Sequence, residues 1–132
     1  SEAEVKALPS LSPAPHALES GAARLYKLAE ISPRAAVIEA WQSVERAAKR
    51  AVLNHAGSPL PEMTNALQLQ RALMEHGLVD PDEFERFNQL RGLRNQANHS
   101  EEFNPSPEAI VYFIQLAAGL EQRFASLSGV EG

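Results

Sequence analysis

The sequence predicts an all-α fold, a four- to five-helix up-and-down bundle, and three observations carry that prediction. Apolar residues recur every three or four positions over long stretches. Nothing alternates with a period of two for long enough to make a strand, and no internal repeat is visible. Three pairs of a capping residue and a proline stand at the head of a periodic apolar run: Ser32-Pro33, Asp80-Pro81 and Ser106-Pro107. Each pair marks a helix start. The cap side chain accepts from a free backbone N–H, and proline at the first helical position loses only a donor that had no partner.

Residues 1–16, "SEAEVKALPSLSPAPH", contain three prolines and no sustained period, which predicts a flexible leader or linker before a bundle over 17–127. From Ala17 to about Ile31, Leu18, Ala22, Leu25 and Ala29 keep helical spacing, but Ser20 and Gly21 interrupt it. A short, fraying helix is expected there. The next helix runs from Pro33 to about Asn54, with Val37, Trp41, Val44, Ala48 and Val52 in one stripe, and "HAGSPLP" ends it. A helix of about three turns follows Thr64, aligning Ala66, Leu69, Leu73 and His76. Gly77 and Leu78 then predict a glycine C-cap with its hydrophobic contact.

The helix from Pro81 opens with Asp80 and Glu83 placed for a capping box, and the turn formers in "ANHSEEFNPSP" predict its end near Ala97 to Asn98. The last helix runs from Pro107 to about Ser126 and buries Ile110, Phe113, Ile114, Ala117, Leu120 and Phe124. Residues 128–132 are expected to fray.

Composition narrows the functions. The 132 residues make one domain, and 44% apolar with 22% charged residues is the balance of a folded, soluble chain. The absence of cysteine excludes disulfides, thiolate metal ligation and cysteine nucleophiles. No apolar run approaches the roughly 20 residues that span a bilayer, so a cytoplasmic location is expected. The chain begins at Ser1 rather than methionine, as a trimmed chain, a processed product or a tag scar does, so a segment upstream, and a membrane tether in it, is an open alternative. No glycine-rich phosphate loop and no HExxH-type histidine pair is present, so no cofactor or metal is expected. His16 falls in the predicted leader, while His55 and His76 fall at helix ends and read as caps. A net charge of −5 repels a phosphate backbone at long range, so any contact with nucleic acid must be local.

The informative stretch is "LRGLRNQANHSEEF". At about 100° per residue Arg94 lies about 20° from Phe87 and about 40° from Leu90, on the apolar stripe of its helix. A guanidinium there needs an anion, a carboxylate or a polar cleft. His99 is five positions on, about 140° around the same helix. Two uses stay open. Arg94 can pair with a core-facing acid such as Glu45 or Glu121, with His99 bonding the carbonyls at a helix end. Alternatively, two chains can bring their motifs together across a twofold axis. Arg46, Lys49 and Arg50 with Arg91 form either a basic strip beside the motif that guides RNA or an ordinary solvated face. Trp41 reads as core, and Tyr112 serves either the fold or a dimer surface.

"RNQANH", Arg94 to His99, resembles the RxxxxH motif of HEPN domains, with a polar residue, Asn95, directly after the arginine. The setting is similar too: the motif closes the penultimate long helix, a turn follows, and "SPEAIVYFIQLAAGLEQRF" supplies the last helix. "SPRAAVIEAWQSVERAAKRAV" resembles the first long helix of small bacterial HEPN-like proteins, so the likeness covers about residues 32–125. The resemblance implies a metal-independent endoribonuclease acting as a homodimer on single-stranded RNA, as a toxin or defence effector held by an antitoxin or another protein partner. It implies His99 as general base or acid, Arg94 as the phosphate-binding residue and Asn95 as an orienting residue, with Asn98 a further RNA contact. The same family also contains non-catalytic dimerisation and partner-binding modules, which is the alternative expectation.

Overall fold

The computed structural model describes residues 13–128, with side chains described from Gly21 onward. The remainder of the expected leader, 1–12, and the tail 129–132 lie outside the described residues. Five helices follow one another: α1 Pro13–Ile31, α2 Pro33–Ala56, α3 Ala66–Glu75, α4 Pro81–His99 and α5 Pro107–Leu127. No strand occurs among the described residues. None of these helices is long and apolar enough to cross a membrane.

The cap-proline pairs start helices as expected. Ser32 is extended (φ −149°, ψ 99°) and its Oγ accepts from the Ala35 N–H at 3.1 Å, so one residue separates α1 from α2. Asp80 and Glu83 complete both arms of a capping box at 2.7 and 2.9 Å. Glu83 also accepts from Arg123 Nε at 2.8 Å, which ties the start of α4 to α5. Ser106 Oγ accepts from the Ala109 N–H at 3.1 Å.

Elsewhere the boundaries differ. α1 begins at Pro13, so residues 13–16 belong to a helix and not to the leader. Pro13 and Pro15 sit in its first turn, where backbone N–H groups have no intrahelical acceptor and proline costs no hydrogen bond. α3 follows Thr64 as expected and is capped by Asn65, whose Oδ1 accepts from the Gln68 N–H at 2.8 Å while Gln68 Oε1 accepts from the Asn65 N–H at 2.9 Å. Thr64 Oγ1 donates to the Pro61 carbonyl. The glycine C-cap after α3 forms as expected: Gly77 has φ 66°, and Leu78 N–H donates to the Leu73 carbonyl at 2.9 Å while the Leu78 side chain is buried.

α2 is the central element and packs against each of the other four helices. Small residues at Ala36, Ala40, Ala48 and Ala51 are buried, which lets neighbours approach from more than one side. Trp41 and Phe87 meet edge to face at 5.2 Å, and Phe87 meets Phe124 at 6.4 Å, so one aromatic line joins α2, α4 and α5. Trp41 is 1% exposed and its indole N–H has no hydrogen-bond partner.

Candidate functional site

The site grows from the last turns of α4 lying over α2. The Arg94 guanidinium carbon sits 4.9 Å from the centre of the Trp41 ring, a cation–π arrangement that accommodates a half-buried charge without a counter-ion. Arg94 Nε donates to Asn95 Oδ1 at 3.1 Å. Among the described residues no carboxylate pairs with Arg94, and its terminal nitrogens donate no hydrogen bond. Neither acid suggested by the sequence serves it. Glu45 faces Lys49 at 3.7 Å. Glu121 lies by Arg46, and burial pushes its carboxyl above the ordinary value while the Arg46 charge pulls it partly back.

α4 ends at His99, within a residue of the expected Ala97 to Asn98, and the Ser100 N–H reaches the Gln96 carbonyl at 2.9 Å. Arg34, a residue the sequence reading missed, holds that end. Its guanidinium donates to the Ala97 carbonyl, to the Ser100 carbonyl at 2.9 Å and to the Glu101 carbonyl at 3.4 Å, and it lies 5.6 Å from the Phe103 ring centre. The partially negative C-terminal end of α4 is thereby clasped by a cation. A signal existed in the sequence: Arg34 stands in the first turn of α2, where the helix dipole disfavours a positive charge unless something else accepts it. Alanine at Arg34 is expected to cost about 1–3 kcal/mol of stability and to loosen residues 97–101. Thermal unfolding and amide hydrogen exchange would measure the two effects. Lysine, with one ammonium in place of a fork, should recover only part of the loss.

A helix that continues through His99 fixes the geometry of the motif. Counting back from His99 at about 100° per residue, Asn95 lies about 40° away, Asn98 about 100° and Arg94 about 140°, all in the same rotational sense. The motif is therefore a polar arc with exposed His99 at one edge and half-buried Arg94 at the other. The two edges point in different directions around α4. Glu101 and Glu102 are exposed on the turn that follows.

Comparison with family models, with curated proteins and with solved structures returns no match to this chain. The site is therefore read from its own geometry.

The basic residues do not form one strip. Arg46 and Arg50 are exposed and line a groove with Glu121 and Ser128 between α2 and α5. They lie about 140° and 180° around α2 from Trp41, facing away from Arg94. Lys49 is engaged by Glu45. Only Arg91 stands on the motif's side, within the arc, where it donates to Gln70 Oε1 at 3.1 Å and Asn88 Oδ1 at 2.8 Å. A four-residue grouping by sequence overlooked that α2 is covered from several directions.

Tyr112 is 54% exposed and donates to Gln89 Oε1 of α4 at 3.3 Å, so it braces the motif helix from the solvent side. His76 is the C-cap of α3, and its ring meets that of His55 edge to face at 5.4 Å. Among the described residues no cluster of three or more histidine, aspartate or glutamate side chains is placed to hold a metal ion.

Proposed function

We propose that this protein is a metal-independent endoribonuclease of HEPN type, cutting single-stranded RNA at a site shared by two copies of the chain. The observation that carries the reading is Arg94: a half-buried guanidinium lies on Trp41, is oriented by Asn95, and has no carboxylate partner among the described residues. A site of that kind is suited to a phosphate, whose two oxygens match the guanidinium fork. His99, exposed at the other edge of the arc, supplies an imidazole, a group able to accept and to donate a proton.

In this reading His99 of one copy removes the proton from a ribose 2′-hydroxyl. The 2′-oxygen attacks the adjacent phosphorus, a P–O2′ bond forms and the P–O5′ bond breaks. The leaving 5′-oxygen takes a proton from a water molecule, and the imidazolium returns its own proton to the hydroxide so formed. Arg94 stabilises the charge that grows on the phosphoryl oxygens, and Asn95 holds Arg94 in place. The products are a 2′,3′-cyclic phosphate and a 5′-hydroxyl, and DNA is spared because it lacks the 2′-hydroxyl. Such an activity suits a toxin or defence effector silenced by an antitoxin.

The test is incubation of the purified dimer with mixed cellular RNA in EDTA. Cleavage with cyclic-phosphate ends is the expected result, and intact RNA across varied substrates would refute the reading. One observation favours a second reading. Glu101 and Glu102 are exposed next to His99 in a chain of net charge −5, a field that opposes phosphate. On that reading the chain is a non-catalytic HEPN-like module whose motif helix holds a second copy or another protein.

A further inference from the structure

We infer that the groove between α3 and α4 seats an unpaired nucleobase adjacent to the scissile phosphate, an assignment that rests on the nuclease reading above. The groove encloses about 330 Å³. Its rim is apolar: Leu67 and Met74 of α3 are 43% and 51% exposed, and Phe84 of α4 is half-buried opposite them. Its floor is polar. Gln70, only 3% exposed, accepts from Arg91 at its Oε1 and brings its amide nitrogen to 3.5 Å from Asn88 Oδ1, which also accepts from Arg91.

Apolar walls over a linked set of amide and guanidinium groups match a nucleobase, which has apolar faces and a donor–acceptor edge. Charge points the same way, since Arg71 and Arg91 outnumber Glu75 among the lining residues of a chain whose net charge is −5.

The placement joins groove to motif. Phe84, Asn88, Arg91 and Asn95 recur at intervals of four, three and four residues, so they form one stripe along α4, within about 60° of one another. That stripe falls between His99 and Arg94 on the helix circumference. Arg91 lies about 6 Å along the helix from Asn95. A strand with its phosphate at Arg94 therefore passes over the groove with its neighbouring nucleotide, and RNA with an unpaired base beside the cut is the substrate class implied.

The chain has two methionines, which supply a probe independent of cleavage. Met74 is on the rim, and Met63, 89% exposed in the loop before α3, is outside it. The experiment labels both methyl groups with carbon-13 in the full chain and adds a short single-stranded RNA whose 2′-hydroxyls are all methylated, so that it cannot be cut. The Met74 methyl is expected to shift and saturate while Met63 stays still. An abasic position in the oligonucleotide should remove the shift without abolishing binding. Leu67→Glu, at an exposed position that leaves the core intact, should weaken binding by about tenfold in an anisotropy titration.

RNA that binds with Met74 silent overturns the groove assignment, as does unchanged affinity in Leu67→Glu or a Met74 response confined to amphipathic peptides. Cleavage by the parent with no Met74 response would remove the groove and leave the nuclease. A Met74 response from a protein that cuts nothing would support the groove and count against catalysis.

Discussion

A mixed dimer of one Arg94→Ala chain and one His99→Ala chain is expected to cut RNA although neither variant does so alone. Each homodimer should lose about 10²–10⁴-fold in activity, because one lacks the phosphate-binding charge and the other lacks the proton-transfer group. The recovery follows from α4 being helical through His99. On the proposed reading, with about 140° between the two side chains on one helix, a phosphate held by Arg94 is to meet the His99 of the other copy. In the mixed dimer one such cross-chain pair is intact, so a heterodimer purified through two different tags should recover roughly half the parental rate. A mixed dimer as inactive as its parents would sink the cross-chain assignment. Loss of dimerisation in either variant, checked by sedimentation, would have to be absent for the comparison to stand.

That expectation depends on a boundary that local sequence placed to within a residue. The cap-proline pairs at 32–33, 80–81 and 106–107 are legible because the whole mechanism is contained in a few consecutive residues, and each starts a helix. The glycine stop after α3 was legible for the same reason. Turn-forming residues after Ala97 pointed to an ending, and α4 ends at His99. What they did not reveal is the guanidinium of Arg34, more than sixty residues earlier in the chain, that donates to the carbonyls there. The burial of Arg94 was foreseen from its place on the apolar stripe, but its partner was not. Periodicity identifies a charge on an apolar face; it does not distinguish a carboxylate across the bundle from an aromatic ring beneath. Likewise Trp41 was readable as core, while its second duty under Arg94 required the two helices to be placed together.

Trp41 is where stability and site meet, and replacing it should have the largest effect on folding. Trp41→Ala removes a fully buried indole from the contact with Phe87 and opens a cavity in the middle of the aromatic line. The expected loss is about 3–5 kcal/mol, a large share of the roughly 5–15 kcal/mol that holds a typical domain together. Urea unfolding measures it. Arg94 would also lose the ring beneath its guanidinium, so at temperatures where the variant is still folded its cleavage rate should fall as well. Trp41→Phe separates the two contributions. Phenylalanine keeps an aromatic face for Arg94 and an edge for Phe87, and it removes a buried N–H that has no acceptor. An unmet buried donor costs about 1–3 kcal/mol, so its removal offsets part of the lost volume. The phenylalanine variant should therefore lie within about 1 kcal/mol of the parent and keep most of the activity. If phenylalanine proved as costly as alanine, the indole N–H would have to be satisfied in solution. The platform beneath Arg94 would then be held by a hydrogen bond rather than by packing alone.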